Sequence, residues 1–511
     1  MPSIHRASVA LLQTLTLVVL CNSLTFGQSF TATVRGTVKD PTGSSVPHAS
    51  VTVTDADRGT SQATVADDAG RFVITALQPG QYLLTVEAAG FKKFSSSKFS
   101  LTVQEQATVD ARLDVGELNE TVEVSASSAH VNTTIANLGQ VIDNQTIVSL
   151  PNLARNPMAF TYLTPGVVGS GGRPGDSNTN FVANGSRNST SDVLLDGVTV
   201  VTVEQNSGVT DLKYSPAVDA VQEFKVQTNF FSAEFGQTGG AVVNMVTKSG
   251  TNRFDGTAYY FLRHSSMNAN DWYSNRAGRT LPYSRRDQAG GVLGGPLIKN
   301  KTFFFAMYEF TESKSPLTST RTVPTLLQRQ GDFSQTRNAA GQVMTIYNPF
   351  DTFVNAQGNL ERRPFPGNVI PSQMLDPIAL RALAYFPLPN TASTSITETN
   401  NWFAQGISQS VNRQMSIKMD HNFSDRNRVT GRYSYGPYTT TPPNLFGELA
   451  PAFPLNNGPI AGSVHSLVTE FTRIQSPRSL WSVRYGLTYA PFTRDPLESF
   501  DLTLLGLPQY M

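Results

Sequence analysis

The sequence predicts a mainly β protein in three successive parts: a small β-sandwich, a mixed α+β unit, and strands with the character of an outer-membrane barrel. Three observations predict it. Short stretches alternate apolar and polar residues at period two between Gly, Pro, Asn and Asp turns. Later strands lengthen to about ten residues, apolar or aromatic on one face and bearing Arg or Lys on the other. Charged residues make up only 15% of the chain, against roughly 25% in ordinary soluble domains.

The 511 residues exceed what one hydrophobic core usually fills, so more than one domain is expected. Lys+Arg number 39 against 38 Asp+Glu, a net charge of +1, which gives no electrostatic ground for a nucleic-acid partner. The one cysteine, Cys21, excludes a disulfide scaffold and a Cys-based zinc site.

His5 and Arg6 precede an apolar run over residues 7–20, and small and polar residues follow through Gly27 and Gln28. This is the layout of a secretory signal peptide, expected over residues 1–27. Cys21 would suit a lipid anchor, but Val19 and Leu20 are not the small residues that cleavage before a lipidated Cys prefers. No later run reaches the about 20 apolar residues of a membrane helix, so any membrane insertion is expected as a β-barrel.

Residues 30–115 carry the first set of strands. Val34-Arg-Gly-Thr-Val38, a Pro41-Thr-Gly turn, Ala49-Ser-Val-Thr-Val-Thr54, an Asp67-Asp-Ala-Gly70 turn, Arg71-Phe-Val-Ile-Thr75 and Tyr82-Leu-Leu-Thr-Val86 follow one another at sandwich spacing. Asp67 and Asp68 admit a metal-ligand reading, although an Asp/Gly-stabilised turn explains them more simply. The ordered motifs resemble the carboxypeptidase-regulatory-like domain. That resemblance implies a non-catalytic, transthyretin-like sandwich, related in shape to starch-binding modules, with a docking or spacer role.

Residues 116–130 form a linker of small polar residues around Glu120-Thr-Val-Glu-Val124. A β-branched pentamer beside a flexible linker is a good donor for another chain's sheet edge, unless it is simply the sandwich's last strand. It resembles the TonB box of outer-membrane transporters, which would make Glu120, Thr121, Val122, Glu123 and Val124 the contact for the TonB protein.

Over residues 131–251, helices are expected at 147–153 and 160–166, each stopped by Pro or Gly. Val193-Leu-Leu-Asp-Gly-Val-Thr-Val200, Val218-Asp-Ala-Val-Gln-Glu-Phe-Lys-Val226 and the Gly-rich run from Glu234 to Gly250 come next. These three ordered motifs resemble the plug of TonB-dependent transporters, and Asp196, Gly197, Gly239, Gly240 and Asn244 are its marked positions. Gly236, Gly239, Gly240 and Gly250 suit tight turns or close backbone approach. Asp176, Asn178 and Asn180 copy the start of a calcium loop, but Phe181 and Arg187 stand where Gly and Glu are needed, so a polar loop is expected.

From residue 252 to 511 the chain reads as membrane strands. Met415, Ile417 and Met419 alternate with Ser416, Lys418 and Asp420. After a turn at 424–427, Val429, Gly431, Tyr433 and Tyr435 alternate with Arg428, Thr430, Arg432 and Ser434. Trp481, Val483, Tyr485, Leu487 and Tyr489 share one face of a later strand. A soluble sandwich with one wet face would alternate likewise, but repeated inward Arg and Lys favour a wet lumen. Residues 313–405 lack clean alternation and are expected as long loops at the barrel mouth. Gly294-Gly-Pro-Leu-Ile-Lys-Asn-Lys-Thr-Phe-Phe-Phe305, Gly331-Asp-Phe-Ser334, Tyr385-Phe-Pro-Leu-Pro-Asn390 and Asp420-His-Asn-Phe-Ser424 resemble the Oar-like branch of the TonB-dependent transporters. The family's 22-stranded barrel needs about 440 residues at roughly ten per strand and ten per loop. About 258 residues follow residue 253, so an incomplete barrel, the N-terminal part of a longer or truncated one, is expected.

The six histidines (His5, His48, His130, His264, His421 and His465) have no metal-ligand spacing. No phosphate-cradling loop with Lys and no Gly-x-Ser-x-Gly elbow is present. No catalytic residue, metal or cofactor is therefore expected. The resemblance implies an outer-membrane receptor that imports an unidentified saccharide, peptide or metal chelate, energised by TonB and its inner-membrane complex, with outer-membrane lipid around it and the sandwich in the periplasm. The competing class is a structural or adhesive surface protein whose sandwich and loops bind a carbohydrate or protein without transport.

Overall fold

The computed structural model of the chain describes residues 30–116, 121–124, 138–153, 155–169, 181–187, 190–201, 214–229, 231, 235–236, 238–276, 278–393, 395–445, 458–476, 479–496 and 501–510. The expected signal peptide, Glu120 and the Asp176–Asn180 loop lie outside them.

The first unit is a two-sheet sandwich. One sheet joins β1 (Ala32–Lys39) to β4 (Arg71–Leu77), β8 (Gln106–Thr108) and β9 (Ala111–Arg112). The other runs β10 (Thr121–Val124), β6 (Lys93–Ser96), β5 (Gly80–Glu87), β2 (Ser50–Asp55), β3 (Ser61–Val65), with β7 (Phe99–Leu101) also on β5. The period-two pattern works as expected: Val34 and Val38 from one sheet meet Val51, Val53, Leu84 and Val86 from the other in one apolar core. Asp67 is a turn residue, its carboxylate accepting from the backbone N–H of Ala69 at 3.0 Å and of Arg71 at 2.8 Å.

The second unit holds a five-stranded mixed sheet, ordered β11 (Leu138–Asp143), β16 (Val221–Asn229), β17 (Val242–Thr247), β14 (Asp192–Leu195), β15 (Val198–Thr199). A hairpin of β12 (Val167–Gly169) and β13 (Phe181–Ala183) stands beside it. Its helices lie at Asn144–Ser149 and Pro157–Leu163, about three residues before the predicted positions. The reason is N-capping. Asp143 accepts from Thr146 N at 2.8 Å and Asn156 from Met158 N at 3.1 Å, so each helix starts at its cap, whereas the prediction worked back from the stop signals.

The third unit is one long antiparallel sheet: β18 (Asp255–His264), β19 (Arg285–Ile298), β20 (Thr302–Arg321), β23 (Trp402–Ser424), β24 (Asn427–Thr441), β25 (Ile460–Ser476) and β26 (Ser479–Tyr489), with β27 (Phe492–Arg494) on β25. The sheet is open, with β18 and β26 at its ends. Trp481, Val483, Tyr485, Leu487 and Tyr489 are all exposed on one face, as are Met415, Ile417 and Met419. The opposite face buries Lys418, Arg432, Ser434, Ser466 and Glu470. This is the apolar-out, polar-in order of a barrel wall.

Two expectations are corrected here. Strands reach 20 residues in β20 and 23 in β23, twice the expected ten. Correspondingly, the loop region is narrower than 313–405, because β20 and β23 stay paired out to Arg321 opposite Trp402. Ser, Thr and Gln on both faces hide the alternation there, while the backbone ladder continues regardless. Within the connection lie the small ribbon of β21 (Tyr347–Val354) and β22 (Leu360–Pro364) and a helix at Pro377–Leu383.

The inner unit packs on the polar face of this sheet. Val464 of β25 joins the inner unit's core, and Phe305 and Met307 of β20 cluster with Ala217 and Ala220. The sandwich sits at the tight-turn end of the long strands. Gln78 Nε2 donates to Asp420 at 3.0 Å, Arg428 donates to the carbonyl of Ala76 at 3.2 Å, and Asn252 N to that of Asp57 at 3.0 Å.

Candidate functional site

The inner unit grips the long sheet at one hairpin tip. β14 and β15 are joined by Asp196 and Gly197 alone, with Leu195 opposite Val198. Both linking residues have positive φ, +49° and +79°. That is the mirror-image two-residue turn whose twist matches its flanking strands, and Asp-Gly is a pair that tolerates it. The Asp196 N–H donates to the carbonyl of Met245 at 2.9 Å, fixing the turn on β17.

The Asp196 side chain is 2% exposed and engaged from two sides. From its own unit, Oδ1 accepts from the Thr247 N–H at 3.0 Å and Oδ2 from the Thr247 hydroxyl at 2.8 Å. From the long sheet, Lys418 Nζ stands 3.3 Å from Oδ1 and Arg432 Nε 2.7 Å from Oδ2. Lys418 also donates to the Thr247 carbonyl at 3.0 Å, and Arg432 to the hydroxyls of Ser434 and Ser466 at 2.6 and 3.3 Å.

Lys418 and Arg432 are direct cross-strand neighbours on β23 and β24, and both are buried. Like charges placed so repel, and without a counter-ion each would carry a large desolvation cost. The carboxylate delivered between them by the inner unit converts that repulsion into attraction. Burial pushes the Asp196 carboxyl up, but Lys418, Arg432 and the Thr247 donors outweigh it and hold it below its ordinary range. The arrangement is an ionic latch between the inner unit and the long sheet.

The remaining marked positions separate. Asn244 is fully buried on β17, beside Leu194 on one neighbour and Lys225 on the other. Among the described residues, neither its amide nitrogen nor its oxygen has a hydrogen-bond partner. Gly239 and Gly240 lie at the far end of the same strands, where both N–H groups donate to the Thr190 carbonyl, at 3.0 and 2.9 Å. A Cβ at Gly240 would stand 2.6 Å from Ser191 Oγ, so glycine is needed there, whereas one at Gly239 would meet only Thr190 Cβ at 3.9 Å. Thr121 to Val124 form β10, in a different sheet altogether, paired in parallel with β6 of the sandwich.

A second junction joins sandwich to inner unit. The backbone N–H of Val103 donates to the Glu223 carboxylate, and Phe30 and Val103 pack on Val246. Burial, which the Val103 hydrogen bond only partly offsets, pushes the Glu223 carboxyl up to about 7. Glu223 and Thr247 lie inside the 218–226 and 234–250 motifs, which mark out neither of them. Arg155, which pairs with Asp219 and lies 4.0 Å above the Phe261 ring of β18, falls in none of the motifs.

The model of the outer membrane beta barrel domain matches residues 246–509. The chain belongs to the outer-membrane β-barrel family. This accounts for the greasy face of the long sheet and places the chain in the bacterial outer membrane. The carboxypeptidase regulatory-like domain model matches residues 33–114, the sandwich. Over 326 residues the chain is 28% identical to the TonB-dependent transporter Oar of Myxococcus xanthus, covering 60% of this chain and 29% of that relative. It thus spans under a third of the length of that curated relative. Among solved structures, the outer membrane transporter YddB from Escherichia coli aligns at 12% identity and a TM-score of 0.41, over 69% of this chain and 38% of its own. A ferric enterobactin receptor from Pseudomonas aeruginosa aligns at 11% and 0.37, over 69% and 41%.

Proposed function

We propose that this outer-membrane β-barrel chain serves TonB-dependent uptake of a solute across the outer membrane, with the inner unit as a movable plug. The observation that carries the reading is the Asp196 latch: the inner unit is held in the sheet by a discrete set of charges. A plug held this way is secure at rest and releasable when one partner is pulled. The long connection between β20 and β23 leaves the sheet at the opposite end from the sandwich. Short turns on one side and long loops on the other are the barrel pattern of periplasm and exterior, which puts the sandwich in the periplasm and the loops toward incoming solute.

In this mechanism, solute on the outer side loosens the plug, TonB captures the Glu120–Val124 strand by β-addition, and tension drawn through the following linker breaks the Asp196–Lys418–Arg432 contacts. The test uses a synthetic peptide of residues 116–130 and the purified C-terminal domain of TonB, by calorimetry. Saturable binding that disappears when residues 120–124 are scrambled is expected. A peptide that does not bind would overturn the proposal.

A further inference from the structure

A cavity of about 480 Å³ lies between the sandwich and two tight turns of the long sheet. Lys299-Asn300-Lys301 joins β19 to β20, Asp425-Arg426 joins β23 to β24, and the pairing of β20 with β23 sets the two turns side by side. Both backbones are fixed. Asn300 N donates to Asn252 Oδ1 at 2.9 Å, and Asn252 Nδ2 donates to the Arg58 carbonyl of the sandwich at 2.6 Å. The Arg426 carbonyl accepts from Ile474 N at 2.8 Å. What the turns leave uncommitted is charge.

Lys299, Lys301 and Arg426 line the cavity and form no ion pair among the described residues. Arg58, on the sandwich side, is by contrast neutralised by Asp55 at 2.7 Å. Three unpaired cations around one cleft repel one another and attract an anion, and such donors make their shortest hydrogen bonds to phosphate or carboxylate oxygens. The acceptors lining the cavity are left short in the opposite sense. Among the described residues, Gln62 Oε1 of the sandwich and Asp420 Oδ2 of the sheet are buried without a donor. A ligand suited to both sets carries an anion and, a few bonds away, an N–H or O–H donor.

The rim shows the direction from which such a ligand arrives. Phe423 lines the cavity and meets the His421 ring edge-on, with ring centres 4.4 Å apart. It is exposed on the face of β23 that also exposes Met415, Ile417 and Met419, which is the lipid face. The cavity therefore adjoins the level where acyl chains end and headgroups begin, and basic pockets at that level are headgroup sites.

We propose that the cavity holds the headgroup of a phosphatidylethanolamine, its phosphate on Lys299, Lys301 and Arg426, its ammonium toward Gln62 and Asp425, and its acyl chains running past Phe423. The leaflet is the periplasmic one, so the site rests on the orientation proposed above. It goes beyond that reading by giving the sandwich a second, lipid-mediated attachment to the barrel wall. The ammonium supplies donors that the buried acceptors lack, whereas a choline headgroup carries the same charges without an N–H.

The test offers delipidated chain in detergent micelles an equimolar mixture of phosphatidylethanolamine, phosphatidylglycerol and phosphatidylcholine, and counts retained lipid by native mass spectrometry. Phosphatidylethanolamine is expected at roughly three- to tenfold over either competitor, the worth of about one hydrogen bond. The triple variant Lys299→Gln, Lys301→Gln, Arg426→Gln, at exposed turn positions, is expected to lose most retention of all three lipids with its melting temperature unchanged. Gln62→Leu is expected to keep phospholipid but lose the preference for ethanolamine over choline. Equal retention of any competitor, or full retention by the triple variant, overturns the site. Displacement of the lipid by an equal concentration of glycerophosphoethanolamine also overturns it, making the occupant a soluble phosphoester. Orientation is checked separately with trypsin on intact cells, which is expected to cut the sandwich only after the outer membrane is permeabilised. Cleavage before that step sinks the orientation and the choice of leaflet, and leaves the lipid counts to judge the headgroup chemistry.

Discussion

Replacing Asp196 by Asn keeps the shape of the side chain and removes its charge, so it isolates the latch from the turn. The amide can still accept from the Thr247 N–H, but it cannot accept from the Thr247 hydroxyl and neutralise Arg432 at once. Lys418 and Arg432, both buried and opposite each other, are left without their anion. Removing one partner of a buried pair costs about 3–5 kcal/mol, and that range is expected for Asp196→Asn. Adding Lys418→Met removes one of the stranded cations. The double variant is expected to recover at least 1 kcal/mol relative to the sum of the single changes, since contacting residues couple by about 0.5–3 kcal/mol. The assay is guanidinium unfolding of the chain in detergent micelles, followed by Trp fluorescence. A loss below about 1 kcal/mol for Asp196→Asn, or strict additivity of the pair, refutes the latch. The pH dependence follows with its sign. The folded pKa of Asp196 is lowered from 3.8, so its contribution is present in full above that value and is lost as the pH falls through the lower folded pKa.

Glu223 runs the other way. Its folded pKa is raised from 4.5 to about 7, so the stability linked to it is full below pH 4.5 and is lost as the pH rises toward 7, by at most about 3 kcal/mol; Glu223→Gln is expected to flatten that part of a melting-temperature profile. Gly240→Ala drives a methyl into Ser191 Oγ and is expected to cost about 1–3 kcal/mol in the same unfolding assay, while Gly239→Ala stays within about 1. Val483→Arg puts a charge on the lipid face and is expected to reduce insertion into vesicles, a cost of about 2–4 kcal/mol at mid-membrane. Val65→Arg, on an exposed position of the sandwich, is expected to leave insertion unchanged.

Much of this was legible from residue pattern. The alternation of Val34, Val51 and Leu84, the hairpin turn at 424–427 and the face shared by Trp481 through Tyr489 are all local, and each came out where period and turn chemistry put it. The latch was not legible. Lys418 and Arg432 were readable only as inward charges, because Asp196 lies more than two hundred residues away in sequence. Their opposition also depends on a register shift between Asn422 and Ser424, and an unbulged count from the turn puts Lys418 across from Tyr433 instead. The sequence left β10 open between a free donor strand and the sandwich's last strand, and the structure pairs it on the sandwich. A β-branched pentamer states that it wants a sheet, and long-range topology decides which one.

The unusual reach of β20 and β23 has a consequence for where their connection stands relative to the membrane. Twenty residues at about 3.3 Å each make a ribbon of roughly 65 Å, which at a barrel tilt of about 40° rises some 50 Å. The hydrocarbon layer takes up only about 30 Å of that. The surplus stands outside the hydrocarbon layer, and the β21–β22 ribbon and the Pro377–Leu383 helix lie in the connection that this extension carries.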